Sequence, residues 1–161
     1  MQAPEPQKEH VWLQQLIGEW TFESECMMGP DQPPMVTKGK EVVRSLGRLW
    51  TIGEGTSDSG GGEAWNSVMT LGYDPEMQRF VGTFIASMMT YLWPYQGTLD
   101  AEAKVLTLDS EGPSFGGDSK TAKYQDIIEF ITPDHRTLTS RMQNADGSWQ
   151  QFMCAHYRRQ A

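Results

Sequence analysis

The sequence predicts an all-β fold: a ten-stranded antiparallel up-and-down barrel with a short N-terminal helix. Three observations predict it. After Gly18, apolar and polar residues alternate with period two through ten short stretches, the pattern of half-buried strands. The stretches follow one another through tight turns such as Asp74-Pro75-Glu76 and Asn144-Ala145-Asp146-Gly147, the second with the Asp-Gly hairpin signal. An open sheet of that many strands would leave two unpaired edges, and closure into a barrel removes them.

The elements follow in order. Gln7 to Ile17 carries Val11, Leu13 and Leu16/Ile17 near helical spacing, with Gly18 as a stop signal. At about three turns this helix is a lid or brace and not a core layer. Trp20, Phe22, Ser24, Cys26 and Met28 form the inward face of a first strand, which Gly29-Pro30 and Pro33-Pro34 end. Val36 to Leu46 and Arg48 to Thr56 are the second and third strands, and Ser57 to Gly62 a flexible loop. Ala64–Tyr73, Arg79–Ala86 and Thr90–Gly97 follow, then Lys104–Asp109 and a loose stretch from Ser110 to Gly117. Thr121–Ile131, Thr137–Gln143 and Trp149–Arg158 complete the set. The reading is one domain over 1–161, with an arm and helix over 1–18 and the barrel over 19–158.

Closure sets the last strand against the first. Pairing Trp20 with Arg158 makes partner numbers sum to about 178, within a two-residue slip, and places Phe152, Cys154, His156 and Arg158 on one face. Cys26 and Cys154 then lie close across the seam, as two reduced thiols or, with Cα atoms within roughly 7 Å, a disulfide.

Composition limits the partners. Thirteen Lys+Arg against 21 Asp+Glu give a net charge of -8, unsuited to nucleic acid or anionic membranes. No apolar stretch nears the ~20 residues of a membrane helix, and MQAPEPQKEH has no signal-peptide core. The expectation is a soluble cytoplasmic domain with no nucleic-acid or membrane partner.

Gly18-Glu19-Trp20, opening the first strand just after a helix, resembles the Gly-x-Trp opening of lipocalins and their calycin relatives. The resemblance implies a calycin-like barrel, with Trp20 at its base and an Arg from the Arg158-Arg159 pair, here assigned to Arg158, packed across it. The order His10-x-Trp12-Leu13, Leu16-Ile17-Gly18-Glu19-Trp20, Gly47-Arg48, Leu71-Gly72-Tyr73-Asp74, Gly97-Thr98-Leu99-Asp100 and Tyr157-Arg158 is similar to the bacterial family known as domain of unknown function 1579. That family implies an architecture and no activity. It tends to carry a Trp and then an acid two residues on in the strand after Gly-Tyr-Asp. This chain has Phe84 and Ala86 there, so no role passes to that acid.

Ten Met, six Trp, six Phe and five Tyr are bulky apolar material for the barrel interior. Met suits surfaces that accept variable apolar shapes, and a barrel wider than about eight strands leaves room for a ligand. The residues expected to line that cavity are Phe22, Ser24, Met28, Met69, Phe84, Met88, Trp93, Met142 and His156; ordinary core is the competing account. The expected function is non-enzymatic binding of a small hydrophobic or amphipathic molecule, without a cofactor.

Three other readings stand beside it. His156 resembles the late-strand histidine that holds haem in some ten-stranded relatives of the lipocalins. An inward Glu54, Asp126 or His156 would support isomerase or hydratase chemistry through a shifted pKa. Exposed Trp residues along one edge would make a homodimer patch. No metal-ligand spacing, nucleophile elbow or phosphate loop appears; His10 and His135 read as solvated.

Overall fold

The computed structural model describes residues 1–58, 63–115 and 120–161; the Gly-rich parts of the two expected loops, over 59–62 and 116–117, lie outside them. Helix α1 (Lys8–Gln14) precedes ten strands: β1 (Gly18–Cys26), β2 (Met35–Leu46), β3 (Trp50–Ser57), β4 (Asn66–Asp74), β5 (Arg79–Ala86), β6 (Trp93–Leu99), β7 (Val105–Pro113), β8 (Thr121–Thr132), β9 (His135–Gln143) and β10 (Trp149–Arg159). Each strand pairs antiparallel with its sequence neighbour, and β1 pairs with β10 to close the barrel. Closure leaves no unpaired edge.

Several boundaries differ from expectation for local reasons. β1 ends at Cys26, and Gly29 turns the chain away at φ +142°, so Met28 is exposed beyond the strand. β6 starts at Trp93, leaving Met88 to Leu92 as an exposed connection at one barrel end. β7 runs on through the expected loose stretch to Pro113, paired with Thr121. Asp74 makes the turn expected at Asp74-Pro75-Glu76, its Oδ1 accepting the amides of Glu76 and Met77, and Asp100 makes another, its Oδ1 accepting those of Lys104 and Val105.

The register of the seam is one residue off the expected value. Trp20 pairs with Arg159 and Phe22 with Tyr157. Because side chains alternate along a strand, one residue reverses the face of all of β10 up to its bulge. Packing decides between the two registers. The observed one buries Ala155 and Tyr157, with the Tyr157 ring 5.3 Å from that of Phe22, and leaves His156 and Arg158 outside. The expected one would have buried an imidazole and a guanidinium in their place. The two cysteines are also separated: Cys26 pairs with Met153 and Cys154 with Glu25, so their thiols point to opposite faces and both are free.

The interior is divided along the barrel axis. Helix α1 packs on β3 and β4, closing the end where Leu13, Leu16, Trp20, Leu71, Phe80 and Leu106 form a dense plug. Trp12 adds edge contacts to Phe80 and Phe130. His10, expected in solvent, is buried: its Nδ1 accepts the Gln7 amide and its Nε2 lies 3.0 Å from the Tyr73 carbonyl, fastening the helix to β4. Arg159, not Arg158, crosses Trp20, its guanidinium 4.3 Å from the ring centroid. Its Nη1 and Nη2 donate to the carbonyls of Ile17 (2.6 Å) and Gln15 (2.7 Å), capping the end of the helical segment.

Gly18 makes room for that contact. It has φ +140°, and a Cβ there would lie 2.5 Å from Arg159 Nη1. Gly18→Ala is therefore expected to cost about 1–3 kcal/mol, read as a lower urea midpoint. An unchanged midpoint would mean that Arg159 holds no fixed position against Trp20.

Candidate functional site

Above the plug the barrel encloses a cavity of about 370 Å³. Its wall is built by alternation: Phe22 and Ser24 from β1, Met69 from β4, Phe84 from β5, Trp93 and Tyr95 from β6, Tyr124 and Asp126 from β8, Leu138 and Ser140 from β9. A β-bulge between Gln151 and Met153 turns two successive residues of β10, Phe152 and Met153, onto the same wall. Gly112 on β7 supports the wall from behind: a Cβ there would lie 2.2 Å from the Trp93 ring and push it into the cavity. Met35, Met88, Met89 and Phe115 line the mouth and are exposed.

Six of the nine expected lining residues are there: Phe22, Ser24, Met69, Phe84, Met88 and Trp93. Three are not. Met28 sits past the end of β1. Met142 has the inward parity of β9 but is not part of the wall; the Tyr124 and Phe152 rings meet edge to face, 6.2 Å apart, across the strand that carries it. His156 lies on the outer wall through the register shift. There its Nδ1 is 2.9 Å from Nε2 of His135, and it borders an outer groove of about 590 Å³ with Lys38, Lys40, Cys154 and Arg158. Haem held from inside through His156 therefore does not fit this barrel: among the described residues no histidine lines the cavity, and no group of metal-binding side chains forms. Of the six tryptophans only Trp50 is exposed, so no edge patch of tryptophans assembles.

Two carboxylates, Glu41 and Asp126, interrupt the apolar wall. At the floor, Arg136 Nη2 donates to Glu41 Oε1 at 2.5 Å, and its guanidinium lies between the rings of Trp20 (4.5 Å) and Tyr157 (4.1 Å). Higher up, Asp126 accepts from Tyr95 through Oδ2 and from Ser140 Oγ through Oδ1, the latter at 2.6 Å. Burial raises the Asp126 pKa, although both hydrogen bonds favour the charged form. Burial, and then the Asp126 charge, raises that of Tyr95, which stays a donor. Burial also raises Tyr157. Glu54, expected among the inward groups, pairs instead with Arg44 on the outer surface at 3.8 Å.

Asp126 was legible as a charge within the inward alternation Tyr124, Asp126, Ile128, Phe130. Its partner Ser140 and the floor pair Arg136 and Glu41 were missed. The signal was the parity of β9, where Arg136, Leu138 and Ser140 alternate as Tyr124, Asp126 and Ile128 do on β8.

The raised pKa has a consequence for stability. Native Asp126 holds its proton to higher pH than the unfolded chain does. Its contribution to stability is complete below the ordinary carboxylate range and is lost as pH rises through the raised native value. Asp126→Asn does not titrate, so wild type is expected to lose stability relative to it as pH rises from about 4. Urea midpoints of both proteins across pH test this; parallel curves would refute it. Tyr95, Ser140 and Tyr157 face the same carboxylate and stay neutral through that range.

Among the described residues no helix is long and apolar enough to cross a membrane. No curated protein matches the chain. Solved structures do. Rv2717c from M. tuberculosis has a TM-score of 0.66 at 12% identity, over 98% of this chain and 100% of that one. The S-type phycobiliprotein lyase CPES from Guillardia theta has a TM-score of 0.57 at 14% identity, over 97% and 99%. EF1p2_mFAP2b bound to DFHBI has a TM-score of 0.50 at 12% identity, over 94% and 98%. At these identities the likeness is one of fold. The family described as "Protein of unknown function (DUF1579)" matches residues 5–159, nearly the whole chain, and the protein belongs to that family.

Proposed function

We propose that the barrel is a binding protein that takes one small hydrophobic or amphipathic molecule into its interior. The observation that carries this is the cavity of about 370 Å³, walled mainly by aromatic and methionine side chains and continuous with an exposed apolar mouth. Such a wall desolvates an apolar ligand while a few polar groups orient it. Flexible thioethers at Met69, Met88, Met89 and Met153 let it adapt to ligand shape. A structural neighbour was solved bound to DFHBI, which agrees with ligand binding on this fold.

Titration with Nile red tests the proposal. The expected result is a saturable, blue-shifted emission with one dye per barrel, reversed by naphthalene. Emission that never saturates, or that naphthalene leaves unchanged, would contradict it.

A second reading is isomerase-type proton transfer through Asp126, favoured because this half-buried carboxylate has no cation partner among the described residues. Its mark would be Asp126-dependent deuterium exchange next to the carbonyl of a bound ketone.

A further inference from the structure

The cavity's charges are unbalanced in a way that selects among ligands. Two ionisable acids line it, Glu41 and Asp126, and among the described residues no Lys, Arg or His does. Glu41 is neutralised by Arg136 at 2.5 Å. Asp126 is not: its partners Tyr95 and Ser140 are neutral hydroxyls, one on each oxygen. A carboxylate offers about four acceptor sites, so two donors leave it able to accept more.

The side chains around it suit a cation. The rings of Trp93, Tyr95, Tyr124 and Tyr157 line the same cavity, and aromatic faces attract ammonium groups, most strongly where water is excluded. An anionic headgroup would meet the opposite field: an uncompensated carboxylate and no free cation. The chain's net charge of -8 adds a weaker, longer-range attraction for cations at the mouth.

We propose that the barrel selects apolar ligands carrying a single protonated amine, with the ammonium seated on Asp126 and the apolar body against the aromatic and methionine wall. This rests on the interior-binding reading above and adds the ligand's chemical class. The amine N–H groups donate to Asp126 while Tyr95 and Ser140 keep the carboxylate in place. No bond is made or broken.

The test is displacement of Nile red from the full-length protein by three ligands of matched shape: naphthylmethylamine, naphthalenemethanol and naphthoate, in mildly alkaline buffer. The amine is expected to bind about tenfold more tightly than the alcohol, as a charge-assisted hydrogen bond allows, and the naphthoate more weakly than either. In Asp126→Asn the ratio of amine to alcohol affinity should fall to near one, whatever happens to the absolute affinities. Asp126→Ser is a second variant for the same ratio. Equal binding of amine and alcohol by wild type overturns the inference, as does tighter binding of naphthoate or an amine preference that survives both variants. The wild-type comparison decides even if neither variant folds. Failure of Nile red itself to bind removes the interior-binding reading as well, so the two failures are distinct.

Discussion

Arg136→Met is expected to lower unfolding stability by about 3–5 kcal/mol, the usual cost of removing one partner of a buried ion pair. The Arg136 side chain is 4% exposed and that of Glu41 13%, so the carboxylate left behind has little water to replace its partner. The guanidinium also fills the space between Trp20 and Tyr157, where the plug meets the cavity floor. At about 2–4 °C per kcal/mol for a chain of this size, the melting temperature should fall on the order of 10 °C or more. Adding Glu41→Gln to Arg136→Met removes the stranded charge and should recover most of the loss, a coupling that a double-mutant cycle in urea measures directly. A single-variant cost below about 1 kcal/mol would mean that water reaches the pair and that the floor is not sealed.

Ser24→Phe is expected to weaken Nile red binding at least about tenfold while leaving the fold intact, a loss of about 1.4 kcal/mol or more in binding. Ser24 points into the cavity from β1, pairs with Ala155 across the seam and makes a long bond, 3.4 Å, to the Thr37 carbonyl. A phenyl ring there takes up cavity volume without displacing a core residue, and gains apolar contacts with the wall. Binding should fall while the urea midpoint holds or rises. Undiminished dye binding in a folded Ser24→Phe protein would place the dye elsewhere on the molecule.

The barrel was legible in the sequence because alternation is clear along strands such as β7. Val105–Pro113 alternates buried and exposed residues along its length, and the hairpin turns at Asp74 and Asp100 carry their own side-chain acceptors. The cavity was only half legible, for three physical reasons. Relative register depends on packing between strands far apart in sequence: Tyr157 seated on Phe22 fixed the seam one residue from the value that Trp20 and Arg158 suggested. The bulge at Gln151/Met153 interrupts parity, which is how Phe152 and Met153 come to share a wall. Buried polar pairs such as Arg136 with Glu41 join β9 to β2, and no local spacing announces a partner 95 residues away. His10 shows the same limit at the other end: a histidine beside polar residues reads as solvated until the Tyr73 carbonyl is brought to it.

A crystal structure of the protein soaked with Nile red locates the bound apolar molecule directly. We predict dye density inside the barrel, between Phe22 and Trp93 and above the Arg136–Glu41 pair. Density confined to the outer groove beside Lys38 and His156, or an interior filled by the methionines of the mouth with no dye in it, would contradict binding inside the barrel.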